Sequence, residues 1–227
     1  MKNLLAGVDA VLFDLDGTLV ETNIDFARMR DELLVLAGRY EVDSEAAKQF
    51  DILRIIDYID ETLRSRGMSQ QADRSRQEAA RILEEIELVH SETAREMAFA
   101  RELIQLLRSR GVKVGIVTRN CRQASKISLR VSGFDDDLMM LAREDVLNAK
   151  PHPDHLLLAL ERLGAEPERS IMVGDHIMDI KGGKAAGMHT IGLLAPERPR
   201  DFFEKVAPDA VIESLREIID AFNDLDS

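Results

Sequence analysis

The chain is poor in features that would assign it to several large protein classes. It holds one cysteine, Cys121, in 227 residues, so no intrachain disulfide can form and a reducing compartment is expected. Long apolar runs are also lacking. The start, MKNLLAGVDAVLFDLDG, meets Asp9, Asp14 and Asp16 too early for an export signal, and no later segment approaches a membrane span. A cytoplasmic protein without membrane attachment is therefore expected. Positive charge is in deficit, with 30 Lys and Arg against 42 Asp and Glu and a formal net charge of −12. Phosphate backbones are gripped by clustered cations, so the charge argues against a general nucleic-acid binder and leaves anionic small molecules for a locally positive site. Low-complexity segments and sequence repeats are absent. What the chain does have is 45% hydrophobic residues, enough for a sizeable core in one large or two modest domains.

The hydrophobic rhythm changes twice. Residues 8–13 (VDAVLF) read as a central parallel strand closed by a turn at Gly17. From about 24 to 90 the pattern is helical, with Phe26, Met29, Leu33 and Leu36, then Phe50, Leu53, Ile56, Ile59 and Leu63, on apolar faces. Gly67-Met68-Ser69 offers a stop and a cap before a third helix through Ile82, Leu83, Ile86 and Val89. From about 97, helix and strand alternate. Strands are predicted at 112–117, 138–141, 171–173, 190–194 and 210–212, with helices at 98–110, 123–132, 153–163 and 180–186. An acidic helix is predicted from Glu213, fraying at 223–227. Such alternation builds an α/β fold, a Rossmann-like parallel sheet with helices on both faces and a ligand site beyond the carboxyl ends of its strands. The expected division is a catalytic core of 1–20 and 96–227 and a small all-helical domain of 21–95 inserted after the first strand.

Four short motifs lie at or just beyond the apolar runs: FDLDGTLV at 13–20, VTRN at 117–120, AKPHPD at 149–154 and VGDHIMDI at 173–180. They supply carboxylates, a hydroxyl and an ammonium, the equipment for moving a phosphoryl group with a divalent metal. A carboxylate at a buried strand end can attack phosphorus to give an acyl phosphate, which makes Asp14 the candidate nucleophile. Asp16, beyond the turn, is placed to give a proton to the leaving oxygen and to take one from water. Gly17 permits the turn and the Thr18 hydroxyl can tie it. Read alone, DLDGT is also compatible with an acidic strand-end loop.

The motifs, in this order and with a helical insert after the first, resemble the haloacid dehalogenase-like phosphohydrolase superfamily, in its branch of helical-cap, phosphoglycolate phosphatase-like enzymes. The resemblance implies that the insert is a cap over the site. It also implies that Thr118 bonds a phosphate oxygen with help from Asn120, although a Thr at a strand end serves equally as a helix cap. Arg119 either pairs with a substrate anion or points away to acidic neighbours. The matching motif implies that Lys150 neutralises phosphoryl oxygens and keeps Asp14 ionised, although an isolated Lys is usually a solvated surface residue. The resemblance assigns Mg²⁺ to Asp14, Asp175 and the backbone carbonyl of Asp16, with Asp179 supporting Lys150 or a metal-bound water. An acidic pair at a helix start is the plainer reading of Asp175 and Asp179.

Several residues have open or structural readings. His176 either contacts substrate or sits at the rim. His152 and His155 lack a third ligand and read as surface residues, and Cys121 reads as a small buried side chain. The implied activity is Mg²⁺-dependent hydrolysis of small-molecule phosphate monoesters through an aspartyl-phosphate. The partner is a small phosphorylated metabolite, and the protein is a monomer or homodimer. Asp16 argues against a dehalogenase, and Lys48, alone in the cap on a solvated helix, against imine-forming phosphonate cleavage. A sugar-phosphate mutase is the alternative; a noncatalytic module would be expected to have lost one of Asp14, Asp16, Lys150 or Asp175. If cap arginines such as Arg28, Arg30, Arg54 and Arg64 face the core, an acidic organic phosphate is favoured. Met97-Ala98-Phe99-Ala100 stands where relatives often carry Pro-Gly.

Overall fold

The computed structural model describes residues 1–225, so the last part of the acidic tail, 226–227, lies outside the described residues. A short helix α1 (Lys2–Leu5) precedes strand β1 (Ala10–Phe13), whose four residues are all buried. The chain then forms β2 (Val20–Glu21) and helices α2 (Phe26–Arg39), α3 (Ser44–Ala47), α4 (Ile52–Ser65) and α5 (Ser69–Ser91). It returns through β3 (Arg95–Glu96) to α6 (Ala100–Ser109), β4 (Lys113–Val117), α7 (Arg122–Val131), β5 (Met139–Leu141) and α8 (Asp154–Leu163). The remainder is β6 (Ser170–Gly174), α9 (Ile177–Ala185), β7 (His189–Leu193), β8 (Ala210–Ile212) and α10 (Arg216–Asn223).

Six strands form one parallel sheet in the order β5-β4-β1-β6-β7-β8. Strands buried on both faces need near-continuous apolar sequence, and AVLF in β1 and SIMVG in β6 provide it. Helices cover the sheet, and each fully buried Leu, Ile or Phe contributes on the order of 1.5–3 kcal/mol. The chain builds outward from β1 through β4 and β5, then crosses back to β6 on the other side. That reversal opens a crevice at the carboxyl end of β1, where α/β sheets bind ligands.

The chain divides into two compact units, Asn23–His90 and the remainder. The helical unit has its own core. Asp25 caps α2 by accepting from the Arg28 amide at 2.8 Å, and Asp51 caps α4 by accepting from the Leu53 amide at 3.2 Å. Met29, Leu33 and Leu36 of α2 pack with Ile55, Ile59 and Leu63 of α4 and with Leu83 and Ile86 of α5. Val89, assigned above to the apolar face of α5, is instead 68% exposed.

Other differences from the sequence expectations have local causes. The antiparallel pair β2 and β3, Val20 opposite Glu96 and Glu21 opposite Arg95, is too short to show an alternating pattern. The last helix starts at Arg216, because the amides of Glu213 and Ser214 bond the Glu217 carboxylate at 2.7 and 3.2 Å ahead of it. Phe99 precedes α6 with φ +69°, a backbone conformation that glycine adopts without steric cost. No helix among the described residues is long and apolar enough to cross a membrane.

Candidate active site

Asp14 is the first residue past β1, and its amide bonds the Val173 carbonyl of the neighbouring β6 at 2.9 Å. The turn that follows is held by its backbone: Gly17 N–H donates to the Val20 carbonyl at 2.8 Å, and the Leu19 and Val20 amides reach the Leu15 carbonyl at 2.9 and 3.0 Å. Gly17 adopts φ +76°. The Thr18 hydroxyl, expected to tie this turn, is buried without a partner, because the backbone bonds already close it.

Lys150 enters from the loop after β5. Pro153 precedes the first residue of α8, so the segment around Lys150 stays out of the helix. The lysine is 1% exposed, and its Nζ lies 2.7 Å from Asp14 Oδ1 and 2.6 Å from Asp179 Oδ1. Asp179 reaches back with Oδ2 to accept from the His176 amide at 3.1 Å, which fixes the start of α9. Gly174 makes room for this: a Cβ there would lie 2.4 Å from Asp179 Cγ. Asp175 completes the group, and one carboxylate oxygen from each of Asp14, Asp175 and Asp179 lies within 4.8 Å of the others.

The electrostatics follow from this crowding. Burial, opposed by Lys150 and reinforced by Asp179, pushes the Asp14 carboxyl up to about 6. Burial and the charges of Asp14 and Asp179 push Asp175 up to about 8. Lys150 loses hydration on burial, yet the two carboxylates beside it outweigh that loss and raise its pKa. With all three carboxylates ionised, their charge exceeds that of the one ammonium by two, and without a divalent cation the burial of Asp175 favours its protonated form at neutral pH instead. A hard oxygen donor set with that excess fits one divalent cation.

Asp16 sits apart from this cluster. It accepts hydrogen bonds from Thr22 Oγ1 on one oxygen and from Asn120 Nδ2 on the other. Thr118 follows β4 and is buried, and its Oγ1 accepts from the Asn120 amide at 3.1 Å. The cap of α7 is Cys121, whose buried Sγ accepts from the Ala124 amide at 3.4 Å. Arg119 is half-buried and its carbonyl accepts from Arg143 at 2.8 Å.

Sequence reasoning brought Asp14, Lys150, Asp175 and Asp179 to one place, and they meet there. It did not foresee that Thr22 and Asn120 would grip Asp16: Asn120 lies 104 residues away, and Thr22, although only six residues on, carries no periodic signal that its hydroxyl turns back to the carboxylate. The histidines divide. His152 is exposed, with Nδ1 3.2 Å from Asp154. His155, also read as a surface residue, is completely buried in the first turn of α8. Neither of its ring nitrogens makes a hydrogen bond of good geometry, and burial, with the charge of Lys150, pushes it down to about 4 despite the backbone of Leu141 and Ala142 nearby. His176 caps α9, its Nδ1 accepting from the Met178 amide at 3.3 Å. Burial and the charges of Arg119 and Arg198 keep its pKa low.

The sequence pattern of the haloacid dehalogenase-like hydrolases matches residues 11–193, which spans the whole cluster. The chain belongs to that family. A pyrophosphatase PpaX from Bacillus mycoides is 31% identical over 220 residues, covering 93% of this chain and 95% of the relative. A hydrolase from Pseudomonas syringae shares the fold with a TM-score of 0.66 at 22% identity, covering 95% of this chain and 98% of that one. A beta-phosphoglucomutase from Clostridium difficile does so with a TM-score of 0.59 at 19% identity, covering 96% and 98%. This haloacid dehalogenase-like chain is a hydrolase of phosphatase type.

Proposed function

We propose that the protein hydrolyses small phosphorylated metabolites through attack of Asp14 on phosphorus. The observation that carries this reading is the buried contact of Lys150 with Asp14 at 2.7 Å, in one cluster with Asp175 and Asp179. The Asp14 carboxylate forms a bond to phosphorus as the bond to the leaving oxygen breaks, and Asp16 gives that oxygen a proton. Water then attacks the acyl phosphate and gives Asp16 its proton, and inorganic phosphate leaves with Asp14 restored. Thr22 and Asn120 hold the Asp16 carboxyl in place for both transfers. Thr118 and neighbouring amides bind phosphoryl oxygens.

Mg²⁺ is the proposed cofactor, held by the side chains of Asp14 and Asp175 and the carbonyl of Asp16, and it supplies positive charge against the phosphoryl oxygens. Lys150 keeps the cluster from repelling itself apart, and Asp179 holds Lys150 in place. The relatives named as pyrophosphatases support hydrolysis over the mutase alternative, and extend the substrate range from monoesters to phosphoric anhydrides.

The test is phosphate release with Mg²⁺ and with chelator, comparing the native protein with Asp14→Asn. The variant is expected to lose at least about a thousandfold in kcat. Equal activity in the two proteins removes Asp14 from the reaction, and isomerisation of a phosphosugar without net phosphate release establishes the mutase instead.

A further inference from the structure

A second anionic group on the substrate needs a cation, and four arginines of the helical unit are engaged elsewhere. Arg28 pairs with Glu32 at 2.7 Å, and Arg54 grips Glu61 with two bonds of 2.7 and 2.9 Å. Arg64 bridges Asp60 at 3.0 Å and Asp73 at 2.5 Å, while Arg30 bonds the carbonyls of Phe50 and Lys48. Each satisfies an acceptor within its own unit.

The core offers another arginine. Arg198 lies in the segment after β7 and has no carboxylate partner among the described residues. Its guanidinium stands 4.5 Å over the Phe202 ring, and the same ring meets His176 with centroids 6.3 Å apart. The platform is anchored. Phe202 packs edge-on against Phe203 at 4.9 Å, and Phe203 is buried with Ile180 and Leu194. Gly192 leaves the space for it, since a Cβ there would lie 2.8 Å from the Phe203 ring. His176 directly follows Asp175, and the field of Arg198 reaches both residues. An exposed loop is thus pinned so that an uncommitted guanidinium stands over the ring that meets His176, the residue next to Asp175.

We infer that Arg198, seated on Phe202 beside His176, is the docking point for a second anionic group carried on the leaving side of the scissile phosphorus bond. The ligand chemistry is an oxyanion a few bonds from the transferred phosphoryl group, supplied by a phosphoric anhydride or by the phosphoester of a short carboxylic acid. Guanidinium suits this task because its planar fork matches phosphate and carboxylate oxygens with two bonds, and the ring beneath restricts its orientation. The inference deepens the phosphohydrolase reading above and rests on it.

The experiment measures kcat/KM of the native protein, Arg198→Ala and Arg198→Lys on three substrates: pyrophosphate, phosphoglycolate and p-nitrophenyl phosphate, whose leaving group carries no second phosphate or carboxylate. The expected result is a fall of roughly tenfold to a hundredfold in the ratio of an anionic substrate to the aryl phosphate in Arg198→Ala, carried mainly by KM. Arg198→Lys is expected to recover part of it. A fall confined to one anionic substrate supports the site and identifies its ligand. Ratios within twofold of the native values on both overturn the inference while leaving the phosphohydrolase reading intact. Failure of the native protein on all three substrates with Mg²⁺ overturns both. Arg198 is exposed, so its removal leaves no buried hole, and a thermal melt checks that the variants are folded.

Discussion

The backbone of Gly17 passes so close to Asp175 that a Cβ at position 17 would lie 2.5 Å from Oδ2. This glycine therefore has two duties: it accepts φ +76° and clears space for a cluster carboxylate. Gly17→Ala is expected to cost about 1–2 kcal/mol from the left-handed backbone alone, read by urea unfolding. Displacement of Asp175 should also lower phosphate release by more than tenfold even where the variant remains folded. A fully active Gly17→Ala protein would show that Asp175 tolerates the shift and does not need its present position.

Removing the ammonium of Lys150 leaves its buried carboxylates without their cation. Lys150→Met is expected to destabilise the protein by about 3–5 kcal/mol at pH 7, measured by chemical unfolding. The Asp14 carboxyl, at about 6 in the native protein, then moves further up. A carboxyl raised above its unfolded value binds more protons in the folded state, so the variant should regain stability as pH falls from 7 toward 5. An equal deficit at both pH values would contradict the charge argument.

Cation binding should expel protons. With Asp175 at about 8 and Asp14 at about 6, the metal-free cluster holds on the order of one proton at pH 7, and metal binding releases it. Titration calorimetry with Mg²⁺ in two buffers of different ionisation enthalpy should give heats that differ at pH 7 and converge near pH 9. Chelation should reverse the exchange. Identical heats in both buffers at pH 7 would mean the carboxyls are already ionised.

His155 predicts an acid weakness distinct from the active-site carboxylates. Its pKa falls from 6.5 in the open chain to about 4 in the fold, so the unfolded state binds more protons between those values. Stability is complete above about 6.5 and is lost as pH falls through 4, by up to about 3 kcal/mol. His155→Leu should flatten that limb in urea unfolding measured at pH 7 and pH 4. Parallel curves for the two proteins would assign the acid weakness to other groups.

Much of this protein was determined locally along the chain. The apolar runs of β1 and β6, the helical spacing of Met29, Leu33 and Leu36, and the prolines that keep Lys150 out of α8 each act over a few residues, and so they are readable without a fold. The four charged motifs lie at strand ends for the same reason, and a parallel sheet has only one carboxyl edge to which they can go. What only the tertiary structure decided is partnership between side chains. The burial of His155 and the grip of Asn120 on Asp16 depend on which groups approach across crossovers, where sequence periodicity carries no information, while Thr22 with Asp16 and Arg198 with Phe202 are near in sequence and meet only because the folded backbone turns them together. The two short strands β2 and β3 belong with them, since a pair of residues makes a strand only when another segment arrives to bond it.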